Sequence, residues 1–550
     1  MLFVFDLLSG SLRLRVSPLS GPLFFLVLLV SRLKAPTSGG GYYLREIYML
    51  TQRRSGILLH PTSLPGKQSI GSLGQEAYDF VDFLERTKQS VWQILPLGPT
   101  GYGHCPYSSF SAFAGNPLLI NLALLVEAGD LQQSELPQSS PETARAESNT
   151  AIKLQIPVLH LACENFKQRG TPTRQQAFNH FCHQQAGWLD DYALFTALRE
   201  KQQDQCWQHW PEGIKQRDSS TLRKGEDQRQ ESIYLQKYLQ FVFFEQWFAL
   251  KKYANKKGIE IFGDLPIFVA EDSADVWAHR ELFYLDEQGR STLVAGVPPD
   301  YFSATGQRWG NPLYRWEQMA EDNFSWWQTR FRWNLELFDL LRVDHFRGFS
   351  SCWAIPAAEA TAKNGDWMEV PGEQLFTLLQ QKFDPLPIIA EDLGIITPEV
   401  EQLRDRFGFP GMKILQFAFD SGSDNPYLPE NHIPNSVIYT GTHDNNTTLG
   451  WWNALDTTAR QKVRDYLQNP CENMPWPLIE TALASCANLA IIPLQDILSL
   501  PAAARMNIPG TATENWQWRF QSKDLTTAIG DRLGDLSQLY GRSLCIPTEI

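Results

Sequence analysis

Three apolar runs in this chain end in acids. LLRVDHFRGF (340–349) carries Asp344, flanked by Arg342, His345 and Arg347; PIIAEDLG (387–394) carries Glu391; SVIYTGTHDNNT (436–447) carries His443 and Asp444. Each run reads as a buried strand with a carboxylate at its C-terminal end. In a barrel of parallel strands the loops at that end converge on one cleft, while the opposite face only holds the barrel together. Two close carboxylates in opposite protonation states are the usual equipment for breaking a glycosidic bond. The pattern therefore points to cutting sugars and, with a suitable acceptor, rejoining them.

The elements that must position these acids can be enumerated. Apolar runs stand at 55–61, 91–99, 259–269, 340–346, 387–394, 412–419, 436–444 and 489–498, with amphipathic stretches such as AYDFVDFLERTK between them. Strand-like runs alternating with helical patterns signal parallel strands joined by crossover helices, and eight of them suit an eightfold barrel better than an open sheet. The second run closes at residue 99 and the third opens only at 259, so roughly 120–255 must form more than one crossover helix. That insertion reads as mainly helical. Its polar stretch 131–150 and charged stretch 217–231 read as loops or solvated faces.

Composition bounds the function. With 550 residues, 43% of them hydrophobic and 20% charged, the chain can bury a large core. A net charge of −13 leaves no overall basic field, so nucleic acid is not an expected partner. The eight cysteines include no CxxC pair, which argues against both a disulfide framework and a zinc site and favours a reducing, cytoplasmic-type compartment. Residues 1–48 differ from the rest: they are poor in acids and hold the apolar run PLFFLVLLV (22–30), too short for the about twenty residues a membrane span needs. A signal peptide and a plastid-type transit peptide are alternatives there. The preferred reading is an upstream extension, with the globular pattern starting at Met49.

The motifs HPTSLPG, LPLGPTGYGHCPYSSFSAFAGNPLLI, GDLPIFV, GVPPDYFSATGQRWGNPLY, RVDHFRGF, AEDLG, FPGMKILQF, YTGTHDNNT and NIPGTATENWQWR run in order from about residue 53 to 520. Together they resemble the 4-alpha-glucanotransferases, or amylomaltases, of glycoside hydrolase family 77. The resemblance implies a (β/α)8 TIM barrel of the alpha-amylase type over 49–550, with the helical insertion after the second strand and no C-terminal β-sandwich domain. It also implies cleavage of an alpha-1,4-glucan, covalent retention of one part, and transfer to the 4-hydroxyl of another glucan or glucose. No cofactor is implied.

By the same resemblance Asp344 is the nucleophile, and Arg342 on the same strand face offers the positive charge that role needs. Glu391 is the general acid and then base. Its neighbour Asp392 competes for the role, but period-two alternation lets only one of the pair face the barrel, and the family pattern selects Glu391. Asp444 orients sugar hydroxyls beside His443. A His-Asp pair can ligate a metal, yet no further His or Cys recurs at ligand spacing, so no metal is expected. Tyr102 and Tyr107 come from the Gly-rich loop after the second strand, with Tyr107 stacking on the donor sugar. The segment 296–312 resembles the family's mobile loop over the cleft, with Asp300, Gln307 and Trp309 facing the glucan and Ala304 where some relatives carry an acid. Asp264 either supports the nucleophile or is structural. Two rivals remain: an amylase-like hydrolase on the same three acids, and a catalytically silent glucan-binding barrel.

Overall fold

The computed structural model describes residues 50–137, 142–299, 303–468, 470–511 and 513–543. The expectations for residues 1–48 and for Asp300 lie outside these. In chain order the strands are β1 (Arg54–Leu58), β2 (Val91–Gln93), β3 (Glu260–Leu265), β4 (Leu293–Val297), β5 (Gln307–Pro312), β6 (Leu340–Val343), β7 (Ser351–Pro356), β8 (Asp366–Glu369), β9 (Ile388–Ala390), β10 (Gly411–Ile414), β11 (Ser436–Tyr439) and β12 (Leu489–Pro493). Eight of them form one parallel sheet in the order β10-β11-β12-β1-β2-β3-β6-β9, and these eight are the eight apolar runs.

The two ends of that sheet meet. The Ala390 N–H donates to Pro410 O at 2.9 Å, and the Met412 N–H donates to Asp392 Oδ1 at 2.7 Å. The sheet is thereby drawn round into a nearly closed barrel. Asp392 is buried and its other oxygen pairs with Arg404 at 2.5 Å. Removing a buried partner leaves the rest of such a pair uncompensated, so Asp392→Ala should cost about 2–4 kcal/mol. A lowered thermal midpoint with unchanged products below it would be the readout.

Period-two alternation sorts the strands into two faces. Leu58, Val91, Phe262, Leu340, Ile389, Met412, Val437, Tyr439, Leu489 and Ile491 fill the barrel interior as one cluster. Their neighbours Ile57, Trp92, Ile261, Leu341, Ile388, Ile438, Ala490 and Ile492 pack outward with the surrounding helices. Counting on by two, the interior face continues to His60, Asp264, Arg342, Asp344 and Glu391 at the C-terminal end, while Asp392 falls on the outer face. Interior space is tight: a Cβ on Gly56 would lie 2.3 Å from Val91 O and 2.9 Å from Ile491 Cδ1.

Between β2 and β3 the main helices are Ser148–Arg169, Pro172–Gln184, Ala186–Lys201, Ser219–Asp227 and Gln230–Lys256. The last of these steadies the loop that follows β2. Buried Gln240 brackets the backbone of Gly115, accepting from its N–H at 2.7 Å and donating to its carbonyl at 2.9 Å, and Gln246 does the same at Asn121. Such satisfied buried amides fix a loop in one place.

One expectation needs correcting. A second sheet, antiparallel in the order β5-β4-β7-β8, was not foreseen, and it includes both ends of the supposed loop 296–312. Residues 307–312 are strand β5, so Gln307 and Trp309 ride on a paired strand and only 298–306 connects it to β4. Backbone pairing to β4, not side-chain burial, holds QRWGNP extended, which is why its exposed residues carry no strand pattern. Ala304 is exposed within the connection.

Candidate active site

Strand β6 delivers Arg342 and, one residue past its end, Asp344. The Arg342 guanidinium is buried and bridges two carboxylates: Nη1 contacts Asp264 Oδ1 and Oδ2 at 2.8 and 2.7 Å, and Nη2 contacts Asp344 Oδ1 at 2.7 Å. Asp264 and Arg342 are direct register partners on β3 and β6, which aligns them across the ladder. Tyr107 closes the group, its hydroxyl donating to Asp264 Oδ2 at 2.7 Å. Burial pushes the Asp264 carboxyl up while Arg342 pulls it back down. The Asp344 side chain keeps 28% exposure, so it can be reached from the cleft.

Immediately after Asp344 the chain turns sharply. His345 takes a left-handed conformation, φ 50° and ψ 52°, which is uncommon for a non-glycine residue and typical of functional turns. The turn aims the His345 N–H at Glu391 Oε2, 2.7 Å away, and the Leu393 N–H reaches Glu391 Oε1 at 2.9 Å. Glu391 follows β9, the neighbour of β6, and its own N–H donates to Val343 O at 3.1 Å. The two acids thus leave adjacent strands at the same end of the barrel. Burial raises the Glu391 carboxyl from 4.5 to about 7, the Asp344 charge adds to the rise, and Arg342 with the two N–H donors opposes it. Asp392, committed to the β9–β10 seam, does not compete.

The loop after β11 adds His443 and Asp444. The His443 ring stacks on Tyr107, centroids 5.3 Å apart and planes 11° from parallel, and its Nε2 lies 3.3 Å from Asp444 Oδ2. Asp444 is 44% exposed at its side chain. Two residues that motif reading assigned no role hold it: the Asn507 amide donates to Oδ1 at 2.6 Å, and Arg505 donates to the Asp444 carbonyl at 2.5 Å. Trp516 lies 6.1 Å from the Tyr107 ring and 6.0 Å from His443. All three belong to the chain after β12. Asn507 and Trp516 lie in the motif NIPGTATENWQWR (507–519) and Arg505 just precedes it, but that motif carried no assigned role.

Strand β5 brings Trp309 in from above. Its ring meets His345 edge-on at 4.8 Å, stays 40% exposed, and its N–H donates to Gln307 Oε1 at 3.1 Å. Tyr102 is different: 81% exposed at the loop tip, it makes none of the contacts that tie Tyr107 to the acids. The assembled cleft therefore offers one exposed carboxylate paired with a guanidinium, a second carboxyl near neutrality beside it, a third acid in reach of solvent, and aromatic faces around them. That constellation suits acid-assisted displacement at a sugar carbon.

Comparison with known proteins agrees. The family model for 4-alpha-glucanotransferase matches residues 59–526. The 4-alpha-glucanotransferase of Synechocystis is 50% identical over 501 residues, 90% of this chain and 99% of its own. That of Thermus thermophilus is 49% identical over 89% and 99%, and the chloroplastic/amyloplastic enzyme of Arabidopsis thaliana 44% over 90% and 86%. Among solved structures, the amylomaltase of Streptococcus agalactiae in complex with acarbose superposes with a TM-score of 0.87 at 39% identity, covering 90% of this chain and all of that one. The chain belongs to the 4-alpha-glucanotransferase family, enzymes that transfer glycosyl groups.

Proposed function

We propose that this enzyme moves a segment of an alpha-1,4-glucan to the 4-hydroxyl of another glucan or of glucose by retaining double displacement. The observation that carries the reading is the pair on β6 and β9: Asp344 held by Arg342, and Glu391 raised toward neutrality one hydrogen bond away from the residue after it. In the first half-reaction Glu391 gives its proton to the glycosidic oxygen while an Asp344 oxygen bonds to C1. The reducing-end fragment leaves with a new 4-hydroxyl. In the second, an acceptor 4-hydroxyl loses its proton to Glu391 and attacks C1, releasing Asp344. Two inversions restore the original configuration. Asp444 and His443 hydrogen-bond the hydroxyls of the reacting sugar, and Tyr107, Gln307 and Trp309 line its path, with Asp300 and Tyr102 assigned to the glucan on the family pattern alone.

Transfer requires that an acceptor hydroxyl outcompete water at the covalent intermediate. Incubation with maltotriose should give glucose plus a ladder of longer glucans; glucose and maltose with no ladder would mean hydrolysis, and no turnover would mean a silent binding protein. We assign the enzyme to a reducing compartment, cytoplasmic, or plastid if residues 1–48 act as a transit segment. The free thiols of Cys105, Cys163, Cys182, Cys206, Cys352 and Cys486 and the plastid names of the plant relatives support that assignment.

A further inference from the structure

Beside His443 lies a small, partly open cavity of about 30 Å³, bordered by His60, Ser63, His443, Asn446, Gln495 and Arg505 among others. His60 stands two residues past the end of β1, on the face that the interior residues Gly56 and Leu58 share, so it points into the catalytic end of the barrel. It is 5% exposed, and among the described residues its Nδ1 has no hydrogen-bond partner. Asn446 Oδ1, on the loop that carries His443 and Asp444, is likewise buried without a partner. Orphaned buried polar atoms are rare, and two on residues that border one cavity call for an occupant. The occupant must be small and both give and accept hydrogen bonds. At roughly 10–15 Å³ of such space per molecule, the cavity has room for about two waters, and it offers the polar partners a buried water needs. Burial also keeps His60 neutral, its pKa falling to about 3 with the charge of His443 opposing protonation further. A neutral imidazole presents one donor and one acceptor nitrogen, which suits a water contact.

His443 is also held by Tyr107 stacking and by Asp444 at Nε2, and Arg505 ties the cavity wall to the Asp444 carbonyl. We propose that His60, with Asn446, is a positioning residue of the transfer site: it holds water in this cavity that braces the His443 ring and so keeps His443 and Asp444 aimed at the sugar. The inference rests on the glucan-transfer reading above. Because it acts through His443, its effect must vanish when His443 is gone.

A double-mutant cycle on the full chain tests this, with maltotriose disproportionation as the assay. His60→Ala should lower kcat/KM about tenfold, and adding it to His443→Ala should lower activity less than twofold further. Equal losses in both backgrounds, or no loss in the first, would overturn the proposal. Asn446→Ala provides the second arm should His60→Ala fail to fold, with the same non-additivity expected and the same overturning result. A high-resolution crystal structure of the unmutated enzyme with that cavity dry would also overturn it. If the unmutated enzyme makes no ladder from maltotriose, the transfer reading itself fails; a ladder together with an additive cycle removes only the role of His60.

Discussion

Asp344→Asn should reduce maltotriose disproportionation by at least about 10⁴-fold, the scale on which losing a nucleophile in a covalent mechanism registers. Stability should barely move. Arg342 keeps both contacts to Asp264, and an asparagine oxygen at position 344 can still accept from Nη2. This combination separates a nucleophile from an ordinary ion pair at a strand end. A structural ion pair would show the reverse, a lowered thermal midpoint with turnover largely retained. The carboxamide oxygen is too weak a nucleophile to form the glycosyl ester, so kcat should collapse while the KM of any residual activity stays near that of the unmutated enzyme. Intact mass after exposure to an activated glucosyl donor completes the case: the unmutated chain should gain the mass of the sugar, Asp344→Asn should not. A covalent adduct on the Asn variant would remove Asp344 from the role.

Much of the fold was legible because the barrel strands are buried on both faces and therefore read as continuous apolar runs. The same regularity allowed only one of Glu391 and Asp392 to face the barrel; in the structure residue 391 shares the inward face with 389, and 392 turns out to the seam. The two strands that escaped share a physical cause. Strands β5 and β8, QRWGNP and DWME, are largely exposed and held by backbone pairing, so neither carries an apolar alternation to read. The charged stretch at 217–231 reads as a loop or a solvated face, and of the two it is the second: Ser219–Asp227 is a largely exposed helix, started by the Asp218 side chain accepting from the Thr221 N–H. Asn507 and Arg505 escaped for another reason. Nothing local shows that the chain beyond β12 folds back to hold Asp444; only its three-dimensional path does.

Glu391→Gln should cost about 10²–10⁴-fold on maltotriose, the usual worth of general acid–base catalysis, because both half-reactions lose their proton carrier. The loss should depend on the leaving group. An alpha-glucosyl fluoride needs no proton to depart, so the first half-reaction should proceed in the variant and the covalent sugar on Asp344 should accumulate, visible by intact mass. A variant equally dead toward the fluoride would assign Glu391 some other task. Acidity offers a second handle. With its carboxyl raised from 4.5 to about 7, Glu391 is protonated below neutrality, so kcat/KM should fall above about pH 7 in the unmutated enzyme and that limb should be missing from the Gln variant. The same shift carries a sign for stability. The folded chain holds this proton more tightly than the unfolded chain, so the stabilisation is complete below about 4.5 and lost as pH rises through about 7. Glu391→Gln escapes that loss, and the gap between its thermal midpoint and that of the unmutated enzyme should therefore widen in its favour from pH 5 to pH 8. An invariant gap would mean that Glu391 is solvated well enough to ionise at its ordinary pH, and a residue so solvated could not serve as the acid at neutrality.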